Sequence, residues 1–403
     1  MKKDYYPLDL SARAYPLMQT GKTQSNFRYS ATLDEAVDPA LLLGSLKDVI
    51  ARYPNFNTKI ACGFFWHKLA KNNAPLIVKE DDRPPLSPLR KKDTNGYPFR
   101  LAYRGNEIVL EVFHAVTDGN IGAFFLTDLL TRYAALRYGA QSELPSRDLA
   151  TKDAFLEFGE KKPLTLSAIR SYNGEDAFAL AQKNNFETTP RLLSEEVDIE
   201  HIKEKAKACD VTVTEYIAAA FITAILVPQV TPLKKPLSLF VPVNLRRFFP
   251  TNTIQNFVCF ERINIAKGES DFSFPSVLQK VKTQFREKLT PEGMQRRIDD
   301  IVTCCNHGFA NGFPLFLKLP CFKFIKRILN KVRQTAILSN VGVCRLPEET
   351  AAHVKDVKFF LNNSRNTPIN VAVISYGKKC NVDITCGLAN TDIPKRFFDL
   401  LNA

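Results

Sequence analysis

Glu107-Ile108-Val109-Leu110-Glu111-Val112-Phe113, then His114-Ala115-Val116-Thr117-Asp118-Gly119, then Asn120 to Tyr138 (NIGAFFLTDLLTRYAALRY) is the stretch on which the reading of the chain turns. Its first part is an apolar run of strand length with buried faces. Its last part is long and apolar enough for a helix that is mostly inside. Between them His-x-x-x-Asp-Gly falls where a strand hands over to a helix. A histidine there is held by stiff elements on both sides and can still face a cleft. An imidazole titrates near neutrality, at about pH 6.5, so it can take a proton from a substrate and give it back. Asp118 closes a tight turn, a place suited to holding the loop through an arginine rather than to touching substrate. Gly119 lets backbone come close. The same spacing also describes a histidine packed at a strand end, with Asp118 as the N-cap of the next helix. The motif alone does not separate the two.

Working outward, the chain has 403 residues, enough for two domains of ordinary size. With 45% apolar and 24% charged residues the composition is globular rather than disordered. Thirty Phe against one Trp and three Met point to aromatic-rich cores or an apolar channel. The formal charge of +13 favours anionic partners: a nucleotide-bearing donor, an acidic carrier protein or an anionic membrane face. No recognised nucleic-acid module accompanies that charge, so nucleic acid is not expected. The nine cysteines are scattered and lack metal-ligand spacing, so no metal site is expected and most read as core filler. No apolar window of about eighteen residues suggests a transmembrane span, and a cytoplasmic setting is expected.

Upstream, Met1 to Lys22 reads as extended, and Asn26 to Leu33 alternates like a half-buried strand. Asp38-Pro39 starts a helix through Arg52. Short strands are expected at Thr58 to Phe65, Leu76 to Lys79 and Arg100 to Tyr103. Downstream, Gln141 to Pro190 reads as a connection between halves, dividing the chain into 1–165 and 166–403. Beyond it come a strand over Arg191 to Val197, a helix from Asp198 to Ala208, and a capping box, Thr212 to Glu215. The box opens a helix that is apolar nearly all round. Further strands are expected at Leu237 to Val243 (with Pro242 putting its end near an edge or bulge), Asn256 to Ile265 and Ala336 to Ser339. A hairpin over Asn370 to Cys386 and a helix over Ile393 to Leu401 close the chain.

The chain resembles the condensation-domain-like superfamily of acyltransferases, and most of all its stand-alone alcohol acetyltransferase branch. Phe113 to Gly119 carry the likeness in the first half. Val241-Pro242-Val243-Asn244-Leu245-Arg246, Asn256-Phe257 and Ser339-Asn340-Val341-Gly342 carry it in the second. The resemblance implies an α/β fold of two chloramphenicol-acetyltransferase-like αβ sandwich subdomains with mixed sheets, set in a V around a central channel with His114 at its middle. It implies that His114 deprotonates an alcohol or amine acceptor, an alcohol rather than an amine by preference, which attacks a thioester carbonyl directly with no acyl-enzyme. Asp118 and Gly119 would be structural, with Arg246 the candidate partner of Asp118. Asn244, Asn256, Ser339 and Asn340 would shape the channel and help hold the donor or its oxyanion. No permanently bound cofactor is implied; the donor is acyl-CoA or an acyl-carrier protein. Two departures stand out: Phe113 occupies the place of the second histidine of many carrier-dependent relatives, and the Asp-Phe-Gly-Trp-Gly motif of plant relatives is not visible.

Residues 308–343 carry Lys318, Lys323, Lys326, Arg327, Lys331 and Arg333 among many Phe and Leu, with no acid. That pattern fits a peripheral contact with an anionic membrane, or a core helix with a solvated basic face. Set against the enzyme are two other readings. One is a non-catalytic lipid- or carrier-binding module, and the other is a stand-alone condensation partner of a peptide or polyketide assembly line.

Overall fold

The structure, a computed structural model, describes residues 5–19, 24–165, 168, 169, 172, 174–180, 185–328 and 334–403, with side chains except at 309, 310 and 322–328. Two sheets, each with its own helices and core, make two αβ lobes. The first sheet runs β12 (Val354–Leu361), β2 (Asn26–Leu33), β7 (Glu107–Phe113), β6 (Phe99–Arg104), β5 (Val78–Glu80). On it pack α1 (Pro39–Ile50) and α2 (Gly119–Tyr138), through Leu42, Leu46, Val49, Phe125 and Leu129. Asp38 caps α1 by accepting from Ala40 N and Leu41 N, with Pro39 in the first turn, as its sequence predicts.

The second sheet runs β10 (Val258–Ile265), β9 (Leu237–Asn244), β11 (Ala336–Val343), β13 (Ile369–Tyr376), β14 (Lys379–Leu388), β8 (Phe186–Asp198). It is mixed: β11 runs parallel to β9 and β13, and the other pairs are antiparallel. Against it lie α3 (Ile199–Ala208), α4 (Val213–Leu226), α5 (Phe274–Lys288) and α8 (Asp392–Asn402). Helix α4 is buried from Glu215 to Leu226, and its capping box is formed on both sides. A small sheet, β1 (Tyr5–Pro7), β4 (His67–Lys71), β3 (Thr58–Cys62), stands apart. A third core joins Leu10, Phe155, Leu245, Phe257 and Met294, the last from α6 (Pro291–Cys305).

Strand β12 is supplied by residues after 165 and yet completes the first sheet. It pairs antiparallel with β2 from Val354↔Leu33 to Leu361↔Phe27, with one irregularity between Val354 and Asp356. The chain thus ties the lobes together by strand exchange as well as by contact. Pro242 lies just beyond the short β9–β11 pairing, which holds only Leu239 and Phe240 of β9, so its missing N–H breaks no ladder on that side. From there β9 and β11 diverge. The segment before residue 22, expected to be extended, is so at β1 and then turns over: Asp9 accepts from Ser11 Oγ and Ala12 N, and a helical turn, Ala14–Met18, follows. The strand expected to reach Phe65 ends at Cys62, because Gly63 N donates to Trp66 O and closes a hairpin to β4.

Among the described residues no single helix is long and apolar enough to cross a membrane, and no cluster of metal-ligating side chains occurs. Of the basic stretch, Lys331 and Arg333 lie outside the described residues.

Candidate active site

His114 leaves the end of β7, anchored by its own N–H donating to Ser25 O at 2.8 Å. The turn that follows is clamped to the segment 253–257, which belongs to the second half of the chain. Thr117 Oγ1 donates to Ile254 O, and Asn55 Nδ2 bridges Val116 O and Ile254 O. Two polar groups at opposite ends of the turn then reach across.

At the far end Asp118 is fully buried and accepts three times. Ile121 N donates to Oδ1, which makes Asp118 the N-cap of α2. Oδ2 takes Phe257 N at 3.0 Å and Arg246 Nη1 at 2.7 Å. Arg246 spends its remaining nitrogens on backbone: Nε and Nη2 on Thr253 O, and Nη2 on Gln255 O. Asn244 turns inward to cap this corner, accepting from Arg246 N and Nη1. Both readings of the Asp118 position hold together, since one carboxylate oxygen caps the helix and the other pairs with the arginine. A Cβ on Gly119 would come within 3.2 Å of Val341 and 3.3 Å of Phe359, and the Gly119 carbonyl accepts from Tyr29 OH at 2.7 Å. A bare residue is what lets the first turn of α2 sit against β11 and β12.

At the near end His114 is only part-buried. Tyr15 stacks on its ring at a centroid distance of 4.8 Å, and Phe27 meets it edge-on at 5.4 Å. Its Nδ1 lies 2.8 Å from Asn256 Oδ1. The amide orientation follows from its other contacts: Asn256 Nδ2 lies 3.0 Å from Asp9 Oδ2 and 3.1 Å from His114 O, both acceptors. With Oδ1 therefore facing the ring, Nδ1 carries the hydrogen and Nε2 carries the lone pair. Among the described residues no hydrogen-bond partner holds Nε2.

A cavity of about 770 Å³ opens where β9 and β11 diverge, lined by Val241, Pro242 and Asn244 of β9, Asn340 of β11, Asn120, and the first turn of α4. Asn340 faces it while donating to Thr214 Oγ1. Lys203 and Lys207 of α3, Arg247 and Arg286 border it. Arg286 pairs with Asp210 and Lys203 with Glu200, whereas Lys207 and Arg247 have no carboxylate partner among the described residues. His114 does not line this cavity, and neither does Ser339, a buried strand residue paired with Ala372. The structure therefore joins His114 to Asn256, and Asp118 to Arg246 and through it to Asn244. Asn340 shares the cavity with Asn244, and Ser339 stands aside.

Residues 150–396 match the family model described as alcohol acetyltransferase. The chain belongs to the alcohol acetyltransferase family. No curated protein matches it. Among solved structures it is similar over nearly its whole length to polyketide synthase associated protein 5 from Mycobacterium tuberculosis, with 15% identity, a TM-score of 0.65, and 98% of this chain and 97% of that one covered. TRI3 trichothecene 15-O-acetyltransferase from Fusarium sporotrichioides gives 11% identity and a TM-score of 0.64, over 98% and 93% of the two chains. The starter condensation domain of rhizomide synthetase, solved with C8-CoA and Leu-SNAC, gives 11% identity and 0.64 over 99% and 94%. At these identities the likeness is one of fold, and it bears out the two-lobed αβ architecture that the family resemblance implies.

Sequence reasoning missed Asp9, Tyr15, Asn120, Lys207 and Arg247. Of these, Asp9 alone left a local trace, an Asp-x-Ser turn signal between apolar neighbours.

Proposed function

We propose that the protein transfers an acyl group from a coenzyme A thioester to an alcohol, with His114 Nε2 as the general base. The hydroxyl proton passes to Nε2 as the oxygen attacks the thioester carbon. Collapse of the tetrahedral adduct breaks the C–S bond, and the departing thiolate takes the proton back from Nε2. The observation that carries this reading is the tautomer enforced on His114, with Nδ1–H held by Asn256 and Nε2 left to work. A module that only bound lipid or carrier would have no use for that arrangement. The test is thiol release from acyl-CoA in the presence of mixed alcohols. His114→Ala is expected to lower the rate about 10²- to 10⁴-fold with the fold intact. Release at the wild-type rate would remove His114 from the chemistry.

Coenzyme A rather than a carrier protein is favoured by the cavity between β9 and β11. Lys207 and Arg247 offer unpaired positive charge at its rim, and the first turn of α4 adds backbone N–H groups, a setting for phosphate oxygens. Asn244, Asn340 and Asn120 would line the path of the donor's amide-bearing arm. Lys207→Glu is expected to raise KM for acyl-CoA several-fold and leave KM for a short pantetheine thioester unchanged. Equal effects on both donors would place the phosphates elsewhere.

A peripheral contact with an anionic membrane is favoured by one further surface. Phe64 and Phe65 at the β3–β4 turn, and Phe316 and Leu317 on α7 (Leu315–Ile328), are exposed side by side. They are locked by Leu315 N donating to Phe64 O and Lys318 Nζ donating to Phe65 O, each at 2.7 Å, with Lys318 over the Trp66 ring. The sequence stretches around these residues, 53–79 and 301–347, contain no Asp or Glu. Flotation with vesicles rich in anionic lipid is expected for the wild type and to be lost in Phe64→Ser/Phe316→Ser. Flotation indifferent to those changes would exclude this face.

A further inference from the structure

Behind Asn256 stands a charge that the reaction above does not use. Asp9 is buried in the N-terminal segment, and all four of its contacts are with donors: Ser11 Oγ at 2.7 Å and Ala12 N at 2.8 Å on Oδ1, Asn256 N at 3.1 Å and Asn256 Nδ2 at 3.0 Å on Oδ2. Burial raises its pKa above the ordinary carboxylate value, and the hydrogen bonds from Ser11, Asn256 and Ala12 offset part of that rise. Three of the four donors are N–H groups that cannot accept a proton, which is the surrounding of a carboxylate ion rather than of a neutral acid.

We infer that Asp9 is a positioning residue for the base, acting through Asn256, so that Asp9, the Asn256 amide and His114 form a single hydrogen-bonded relay from a buried anion to the reacting nitrogen. The anion at the amide N–H end draws positive charge toward itself and enriches Oδ1 in electron density. The Nδ1–H···Oδ1 bond strengthens when His114 becomes an imidazolium, the state in which positive charge must be carried. The amide cannot take the proton, so the proton stays on the imidazole and remains available for the departing thiolate. A carboxylate placed directly on Nδ1 would hold the imidazolium more strongly and return its proton less readily. The inserted amide keeps the anion one residue away from the ring.

The surroundings bear on the titration. Asp153 lies near Asp9, its Oδ2 accepting from Leu10 N, and burial together with the Asp9 charge pushes it up to about 6. Arg13 stands close to both carboxylates, and the Cys305 thiol of α6 faces Asp9 and Arg13. Tyr15, stacked on the His114 ring, has its phenol pushed up by burial, with the Asp9 and Asp118 charges adding to the rise. The Asp118–Arg246 pair closes the other end of the turn.

The inference rests on His114 being the base, and the two fail differently: an active His114→Ala enzyme defeats that reading, whereas the relay is decided among variants that keep His114. The experiment measures kcat, KM and the pH dependence of kcat for wild type, Asp9→Asn and Asp9→Asn/Asn256→Asp, with thermal melts to correct for unfolded protein. Asp9→Asn is expected to lower kcat about tenfold to a hundredfold, by analogy with other outer groups that orient a reacting one. KM should stay within about twofold, and the acidic limb of the kcat profile should move to lower pH by up to about one unit. The double variant moves the charge onto the histidine's own partner. It is expected to place the limb above that of the wild type and to recover part of kcat. A folded Asp9→Asn enzyme with wild-type kcat and an unmoved limb would overturn the relay. If Asp9→Asn does not fold, the double variant decides: a limb raised above wild type supports the relay, and an unmoved limb overturns it.

Discussion

The two ends of the turn from His114 to Asp118 are built in opposite ways from similar parts. Each reaches across to the 244–257 segment of the other half: Asp118 finds the Arg246 side chain and the Phe257 N–H there, and His114 finds the Asn256 amide. At Asp118 everything is spent: both carboxylate oxygens, and every guanidinium nitrogen of Arg246, have partners, and the carboxylate is out of reach of solvent. At His114 one nitrogen is held and the other left, on a ring that is part-exposed. A saturated group can only hold, because any new partner must displace an old one. An unsaturated group fixed at one atom is aimed. Four residues apart, one chain segment thus supplies a strut and, in the reaction proposed above, a tool that the strut keeps in register with Asn256.

The sharpest way to break that comparison is to remove each end and read two quantities, rate and stability. His114→Ala should sit at one extreme, with the rate lost and the melting temperature lowered only modestly, since the part-exposed ring gives up one hydrogen bond and its contacts with Tyr15 and Phe27, together about 1–3 kcal/mol. Asp118→Ala should sit at the other. It leaves Arg246 without its anion in a setting where the arginine is 13% exposed, and loss of one partner of such a pair costs about 3–5 kcal/mol. It also orphans Phe257 N, next to Asn256, so the rate falls as well, as a consequence of misplacement. A denaturant melt showing Asp118→Ala as stable as His114→Ala would erase the distinction.

Much of this architecture is legible in the amino-acid sequence. The strand, the turn and the buried helix carry local patterns that the fold keeps, as do the capping box at Thr212 and the proline start at Asp38. The pairing of Asp118 with Arg246 is legible only through family resemblance, because 128 residues separate them. What stays hidden shares that long-range character. Strand β12 (Val354–Leu361) is not among the strands expected from the sequence, and nothing in its residues signals that its partner is β2, near the other end of the chain. Asp9 touches Asn256 across 247 positions, and the turn signal around Asp9 says nothing of that partner. The cavity depends on β9 and β11 ceasing to pair after two residues, a matter of sheet geometry that Pro242 hints at from one side only. Local chemistry writes itself into sequence through caps and periodicity. Contacts closed by the fold leave single residues with no local cause.

The finest test of the strut is Arg246→Lys, which keeps the charge and changes its shape. A lysine ammonium can still meet Asp118 as a point charge, so the buried carboxylate keeps a cation. It cannot at the same time reach the carbonyls of Thr253 and Gln255, which the planar guanidinium takes with Nε and Nη2. Those carbonyls anchor the run leading to Asn256, so their loss should loosen the segment more than it weakens the ion pair. A stability loss of about 1–3 kcal/mol is expected, below that of Asp118→Ala, since buried acceptors go unmet while the charge stays paired. The rate should fall less than in His114→Ala, and lowering the temperature should recover part of it as the segment stiffens. If Arg246→Lys matched Asp118→Ala in stability, the carbonyl contacts rather than the charge pair would be what fixes the turn.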